Sequence, residues 1–116
     1  MPHFVIECNH SAIPEKEIDA VMQAVHEIAV SSELFDLANI KVRLNKYEHS
    51  IVAGERGDFI HVFANIMQGR TEEQRAALSK EVVQKLKDKF PDVLVISVNV
   101  WEFEKATYSN LRTIQD

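Results

Sequence analysis

The hydrophobic pattern of this chain passes twice through the same order: an alternating segment, a segment with helical spacing and a second alternating segment. Residues 2 to about 48 and 58 to about 103 each follow this order, although few residues are identical between the halves. Such a recurrence indicates a structural duplication. Because a helix joins two parallel strands by a right-handed crossover, we predict an α+β fold of two tandem β-α-β units. They form a four-stranded sheet with two helices on one face.

The first unit is predicted to contain a strand that begins at Pro2, a helix with Pro14 in its first turn and a strand from Ile40. Along the helix, apolar residues recur at the spacing of one face: Ile18, Val21, Met22, Val25, Ile28 and Ala29. Residue types alternate in the second strand, with Ile40, Val42 and Leu44 on one side and Lys41, Arg43 and Asn45 on the other. This change of period distinguishes the helix from the strand.

The second unit has sharper boundaries. Residues 58–67 alternate with apolar side chains on both sides, which predicts a central strand or one that faces an interface. Thr71 and Gln74 match a T-x-x-Q capping box, so a helix should begin here, and Pro91 should end it. Residues 93–101 are rich in β-branched side chains and predict the last strand.

The composition argues against several classes of function. A net charge of -5 and a pI near 5.5, without a dense Lys/Arg cluster, argue against a nucleic-acid partner. We find no apolar run of membrane-spanning length and no leader, so we expect no membrane partner and a cytoplasmic location. The single Cys8 cannot form an internal disulfide and is expected in the core. No metal or nucleotide motif is recognisable, and we expect no cofactor.

We expect residues 1–116 to form a single domain, in which residues 104–116 are a tail without a clear period. Two helices on one face leave the other face of the sheet uncovered. Its expected Val, Ile and aromatic side chains predict a homo-oligomer, since a monomer rarely exposes so large an apolar surface. Tyr108, Leu111 and Ile114 could anchor the tail against a neighbour.

Pro2 is the candidate catalytic residue. Met1 is normally removed before so small a residue, and its removal leaves Pro2 with a free secondary amine that can accept a proton. An amide nitrogen cannot do this. The apolar strand that follows, with Phe4 and Ile6 on one side, would hold the amine in place as a general base requires. The alternative is that Pro2 is only a proline near a terminus.

Three cations are candidates for binding the carboxylates of a small anionic substrate. Arg70 directly precedes the second predicted helix, where unpaired backbone N–H groups attract anions. Lys41 and Arg43 share one side of a predicted strand. The alternative is that all three are surface charges.

Three stretches resemble a known family: Pro2-His3-Phe4-Val5-Ile6-Glu7-Cys8, Leu37-Ala38-Asn39-Ile40 with the basic residues after it, and Gly69-Arg70-Thr71. The sequence resembles the tautomerase superfamily and, within it, the 5-carboxymethyl-2-hydroxymuconate delta-isomerases. The resemblance implies a cofactor-independent isomerase of aromatic compound catabolism that forms homotrimers. It further implies that Pro2 moves a proton within a dienol or unsaturated keto acid, while Arg70, Lys41 and Arg43 hold its carboxylates.

Lys41 departs from the family pattern, which has an arginine at this position. Lysine keeps the charge but lacks the planar fork that grips a carboxylate through two hydrogen bonds. The difference affects the expected dicarboxylate substrate more than the reaction type. The superfamily also includes proteins resembling macrophage migration inhibitory factor, so a binding or signalling role is the alternative function. An assembly module without a pocket is a third possibility.

Overall fold

A computed structural model of the chain describes residues 1–115. Its main elements are β1 (His3–Asn9), α1 (Ile18–Ser31), β2 (Lys41–Tyr47), β3 (Phe59–Met67), α2 (Glu72–Lys89), β4 (Val95–Phe103) and α3 (Leu111–Gln115). Short 3-10 turns precede α1, β2 and α3. The predicted tail thus contains a short helix, and its last residue, Asp116, lies outside the described residues. Within residues 1–115, no helix is both long enough and apolar enough to span a membrane.

The four strands form one sheet in the order β2-β1-β3-β4. β1 is parallel to β2 and β3 is parallel to β4, so each strand–helix–strand unit forms its own parallel pair. The two units join through antiparallel pairing of β1 with β3, in which His3 lies opposite Asn65. The predicted four-stranded α+β architecture is confirmed.

The core lies between one face of the sheet and the two long helices. α1 and α2 contact each other, which confirms that both cover the same face. The inner strands alternate strictly, and their helix-facing side chains are fully buried: Phe4, Ile6 and Cys8 from β1, and Ile60, Val62, Ala64 and Ile66 from β3. The helices add Val21, Val25, Ile28, Leu78, Val82 and Leu86. Burial of this apolar surface, at about 25 cal/mol per Å², is the main force that holds the helices on the sheet.

The start of the first helix differs from the prediction. Pro14 lies before the 3-10 turn Glu15–Glu17 and not in the first turn of α1, which begins at Ile18. Proline has no N–H and a restricted φ, and its φ of -59° suits the N-cap of the 3-10 turn. The turn then leads directly into α1.

The face of the sheet opposite α1 and α2, here called the open face, has the expected aromatic side chains but few of the expected Val and Ile. Most Val and Ile side chains of the strands point towards the helices, so few of them lie on the open face. Aromatic and polar side chains occupy it instead: Tyr47, Phe59, His61, Phe63, Asn65, Ser97, Asn99, Trp101 and Phe103. Some of the polar groups pair with each other, as in the contact of 2.6 Å between His61 Nδ1 and Ser97 Oγ.

Candidate functional site

The topology brings four chain segments to one edge of the sheet. β1 and β2 start at this edge and, because β3 is antiparallel to β1, β3 and its parallel neighbour β4 end there. The edge therefore holds the amino terminus, the turn before β2, the beginning of α2 and the tail after β4. Together these segments line a cavity of about 760 Å³. This volume is typical of small-molecule sites.

The cavity wall is rich in positive charge. The amino terminus contributes Met1, the turn before β2 contributes Asn39, the beginning of α2 contributes Arg70, and the tail contributes Lys105, Tyr108 and Arg112. None of the described residues in this wall is Asp or Glu. In a chain with a net charge of -5, such a cluster of cations gives this wall a local positive potential that favours small anions.

Pro2 is fully buried directly before β1, and its neighbour Met1, not Pro2 itself, lines the cavity. The Pro2 carbonyl oxygen accepts a hydrogen bond of 3.1 Å from the backbone N–H of Lys41, so the pairing of β1 with β2 holds this residue against the sheet. Burial lowers the pKa of the Met1 amino group, and Lys41 lowers it further through a hydrogen bond and its charge. An amine at this end of the sheet therefore loses its proton at a lower pH than an ordinary chain terminus.

Lys41 and Arg43 take different positions near the amino terminus. The Lys41 ammonium donates a hydrogen bond of 2.8 Å to the carbonyl oxygen of Asn39, a residue of the cavity wall. Arg43 lies farther along β2, where its guanidinium is 3.1 Å from Nδ1 of His3. Within the described chain, neither side chain lines the cavity. The structure thus brings Lys41 to the edge of the candidate site and leaves Arg43 beside it.

His3 accepts the hydrogen bond in its contact with Arg43, because a guanidinium has no acceptor atom. Burial lowers the pKa of His3, and the positive charges of Arg43, Lys41 and the chain terminus lower it further. The imidazole is therefore neutral near pH 7, with its proton on Nε2. Its ring also packs edge-on against Phe103, with ring centroids 6.3 Å apart. His3 thus holds Arg43 in place without adding a charge of its own.

The entry into α2 is capped as the sequence predicted. The Thr71 hydroxyl oxygen accepts a hydrogen bond of 3.1 Å from the Gln74 N–H, and the Gln74 side chain accepts one of 2.9 Å from the Thr71 N–H. Gly69 precedes this box with a φ of 120°, a conformation that favours glycine. These features fix the backbone on both sides of Arg70.

The Arg70 guanidinium is held in one orientation. It donates hydrogen bonds to the carbonyl oxygens of Leu34 and Met67 and lies 5.2 Å from the centre of the Phe35 ring. Two of its five N–H donors are used in these contacts, and the others remain for a ligand. Arg70 can therefore present a preformed contact to one carboxylate.

The sequence analysis did not identify Phe35, Lys105 or Arg112 as site residues. Tyr108 packs within its own chain on Phe103, with ring centroids 5.4 Å apart, and its contact with a neighbour stays a prediction. Lys105 and Arg112 belong to the tail, whose sequence shows no clear period. In the sequence, only their positive charge suggested a role in binding anions. The charge becomes relevant because the tail folds back to line the cavity.

A second cavity, of about 650 Å³, lies at the opposite edge of the sheet. Asp58 lines it and accepts hydrogen bonds of 2.8 Å from both the Asn9 amide and the Ser11 hydroxyl, which lower the pKa of its carboxyl group. Across residues 1–115, no group of three or more His, Cys, Asp or Glu side chains is placed to hold a metal ion. Because the predicted site residues lie at the other edge, we take the cavity beside Met1 as the candidate site.

Comparison with protein families identifies the family to which this fold belongs. The family model of 5-carboxymethyl-2-hydroxymuconate isomerase matches residues 2–115. The chain belongs to this family. Its membership makes it an isomerase with the tautomerase fold, as the resemblance in the sequence implied.

Relatives of this family member share its fold at low sequence identity. The 5-carboxymethyl-2-hydroxymuconate Delta-isomerase of Escherichia coli is 24% identical over 106 residues, which cover 90% of this chain and 84% of the relative. A crystal structure of Pt0534 inactivated by 2-oxo-3-pentynoate has a TM-score of 0.84 and 20% identity, covering 94% of this chain and 92% of that chain. The symmetric trimer of wild-type Q0 fused 4-OT has a TM-score of 0.79 and 23% identity, and the match covers 94% of this chain and 91% of that chain.

Proposed function

We propose that this chain isomerises a small unsaturated acid by moving a proton, with Pro2 as the base once Met1 has been removed. The observation that carries the proposal is the position of Met1, which lines the same cavity as Arg70, because removal of Met1 would leave the Pro2 amine as the chain terminus next to this cavity. A base and a fixed cation beside one cavity are the two groups that such a reaction needs. Membership of the isomerase family supports the same class of reaction.

In the proposed reaction, the Pro2 nitrogen takes a proton from the enol oxygen or from a carbon atom of a dienol. The electron pair of the broken bond moves through the conjugated system, and Pro2 returns the proton to a different carbon. One O–H or C–H bond breaks and one C–H bond forms, without an oxidant or a second substrate. Burial and the Lys41 charge, which lower the pKa of the Met1 amino group, would also keep the Pro2 amine unprotonated.

The cations have the second role in this mechanism. Arg70 would bind a substrate carboxylate and stabilise the dienolate as negative charge moves towards that end. Its contacts with Leu34, Met67 and Phe35 orient the guanidinium before the substrate arrives, which reduces the reorganisation required. Lys41 and Arg43 would add positive potential, the former at the edge of the cavity and the latter from the open face.

The proposed substrate is a carboxylate-bearing dienol or unsaturated keto acid of the kind isomerised during the catabolism of aromatic compounds. The reaction of 5-carboxymethyl-2-hydroxymuconate, after which the family and the Escherichia coli relative are named, is the example. Lys41 supplies a single charge where the family pattern has a guanidinium. Most of the binding energy for carboxylates would therefore come from other cations of the site.

We further propose that the chain forms a homo-oligomer through its open face, as a trimer like that of the fused 4-OT structure. Trp101 is 57% exposed on this face, which leaves a large aromatic surface for a partner. The Tyr47 hydroxyl donates a hydrogen bond of 2.8 Å to Glu7, and His61 pairs with Ser97. Polar groups that already pair with each other can be buried at an interface at lower cost.

Chemical modification of the amino terminus tests the proposed base. The intact mass of the native protein is measured before and after brief exposure to 2-oxo-3-pentynoate, a carboxylate-bearing electrophile, and the modified residue is then mapped. We expect a native mass without Met1 and a single adduct on Pro2. A retained Met1, or no adduct on Pro2, would contradict the proposal and favour a binding role for this fold.

Two variants complete this test. Pro2→Ala leaves a primary amine and should lower the turnover of a dienol by about tenfold or more, since a positioned base contributes about 100-fold to 10,000-fold. Cys8→Ala removes the only thiol and should still give the adduct, because Cys8 is buried and burial raises the pKa of its thiol. Loss of the adduct in Cys8→Ala would show that the electrophile had reacted with sulfur.

A further inference from the structure

The tail after β4 supplies two of the three cations that line the candidate site. Lys105 lies in the 3-10 turn after β4 and Arg112 lies in α3, whereas Arg70 comes from the beginning of α2. The whole chain has 18 Asp and Glu residues against 13 Lys and Arg residues. The described residues of the cavity wall include three cations and no carboxylate, so the wall is positive although the chain as a whole is negative. Such a wall suits an anion with more than one negative charge.

Arg70 by itself does not account for the anion-binding capacity of this wall. Two of its donors are committed to the carbonyl oxygens of Leu34 and Met67, so it can serve one carboxylate but has few donors for a second. The salt bridges found within residues 1–115 involve neither Lys105 nor Arg112. The cavity, at about 760 Å³, has room for a ligand with two separated carboxylates.

The tail is held in a defined position by contacts of its own. The Tyr108 ring packs on the ring of the last residue of β4, and the Gln68 side chain accepts a hydrogen bond from the Lys105 N–H. At the start of α3, the Asn110 N–H donates to the Thr113 hydroxyl at 3.0 Å and the Thr113 N–H donates to the Asn110 side chain at 2.9 Å. The two cations therefore belong to an ordered wall and not to a loose chain end.

We propose that Lys105 and Arg112 bind a second carboxylate of the substrate while Arg70 binds the first, so that the tail selects dianionic over monoanionic dienols. The inference rests on the proposed isomerase function and adds the residues that determine which substrate is accepted.

A pair of substrates that differ in charge tests this selectivity. The kcat/KM values of the wild type and Arg112→Gln are measured with 2-hydroxymuconate, which has two carboxylates, and with 2-hydroxypenta-2,4-dienoate, which has one. Loss of a charge-assisted hydrogen bond should lower kcat/KM for the dicarboxylate by about tenfold to a hundredfold. The value for the monocarboxylate should stay within about twofold, because Arg70 still binds its only carboxylate.

Matched variants separate a specific contact from a general effect of charge. Lys105→Gln should shift the selectivity in the same direction, and Arg112→Lys, which keeps the charge, should retain part of the preference. Lys80→Gln removes one positive charge from an exposed position on α2 and should leave the ratio unchanged. Equal losses for both substrates in Arg112→Gln, or no loss for either, would overturn the role of the tail.

Binding of unreactive acids distinguishes a failure of this inference from a failure of the proposed function. Adipate has two carboxylates and pentanoate has one, and their affinities are measured by calorimetry on the same variants. A preference for adipate that disappears in Arg112→Gln would support the tail even if no dienol is isomerised. If the wild type isomerises dienols but its preference does not depend on Arg112 or Lys105, the proposed function stands and the inference fails.

Discussion

At the scale of single residues, Lys41 controls the amino terminus from outside the cavity. Its ammonium is held 2.8 Å from the Asn39 carbonyl oxygen, so the backbone of the turn before β2 fixes the position of its charge. After the larger effect of burial, this charge lowers the pKa of the terminal amine. For the proposed base, the consequence is that Lys41 adds to the effect of burial and so contributes to the pH at which the amine loses its proton.

Substitution of Lys41 should therefore shift the pH profile. On the proposed mechanism, kcat/KM rises with pH as the Pro2 amine loses its proton, and the midpoint lies below the ordinary pKa of an α-amino group. In Lys41→Gln the lost positive charge no longer disfavours the protonated amine, so its pKa rises and the midpoint moves to higher pH. The measurement is kcat/KM against pH at constant ionic strength.

Lys41→Arg is the control for this shift. Arginine keeps the positive charge and should keep the midpoint close to that of the wild type. An unchanged midpoint in Lys41→Gln would show that Lys41 does not act on the base. A lower kcat/KM with the same midpoint would instead indicate a role in substrate binding alone.

Part of the candidate site could be predicted from the sequence because the positions of two residues in the chain indicate their roles. Pro2 is recognisable because it directly follows the initiator methionine, and Arg70 because a helix-capping box follows it. No motif or special position in the sequence points to Lys105 or Arg112. They reach the cavity because β4 ends at the edge where β1 begins, and this proximity depends on strand order, which local patterns do not encode.

At the scale of elements, the beginning of α2 matters most for the site. The reciprocal hydrogen bonds between Thr71 and Gln74 fix the first turn of the helix, and Arg70 is the residue directly before it. Its guanidinium also bridges to the carbonyl oxygens of Leu34 and Met67. The helix entry thus connects the stability of the fold with the orientation of a candidate ligand-binding side chain.

Loss of the cap should destabilise the chain measurably. Thr71→Ala removes the hydroxyl that accepts from the Gln74 N–H and should lower the free energy of unfolding by about 0.5–2 kcal/mol. Thr71→Ser keeps a hydroxyl and should lose much less. The measurement is urea denaturation followed by circular dichroism. Equal stability of the alanine and serine variants would show that the cap does not stabilise the helix.

Elements with a long and regular pattern were predicted correctly, and short or irregular ones were not. The first three strands and the two long helices follow from their periods, and the start and end of α2 from Thr71 and Pro91. The last strand was predicted from its β-branched residues, with bounds two residues earlier than those of β4. The tail gave no signal because α3 has only five residues and its start depends on side-chain hydrogen bonds between Asn110 and Thr113. The 3-10 turn after Pro14 was missed because proline is compatible with the start of either helix type.

At the scale of the whole molecule, the antiparallel junction of the two units creates both the site and the open face. Pairing of β1 with β3 brings the start of the first unit to the end of the second. The same arrangement places α1 and α2 on one side and leaves aromatic side chains on the other. The sequence predicted the sheet and its helices, but not which strands would be neighbours across the junction.

Assembly should depend on the aromatic side chains of the open face. Trp101→Glu replaces a ring that is 57% exposed by a charge and should raise the dissociation constant of the oligomer by about tenfold or more. Sedimentation velocity over a range of protein concentrations measures this change. Lys80→Glu, an alteration of charge on the helix side, should leave the oligomer intact. A monomeric wild type, or an unaffected Trp101→Glu oligomer, would contradict assembly through this face.

The position of the proposed base limits how this fold can be joined to others. Any polypeptide fused to the nitrogen of Pro2 would convert its amine into an amide, while an extension of the tail would leave the amine free. The second β-α-β unit begins inside the chain with Phe59, whose nitrogen is already part of a peptide bond. On the proposed mechanism, two similar units would therefore share one base, and a gene fusion that keeps the activity would have to encode this fold first.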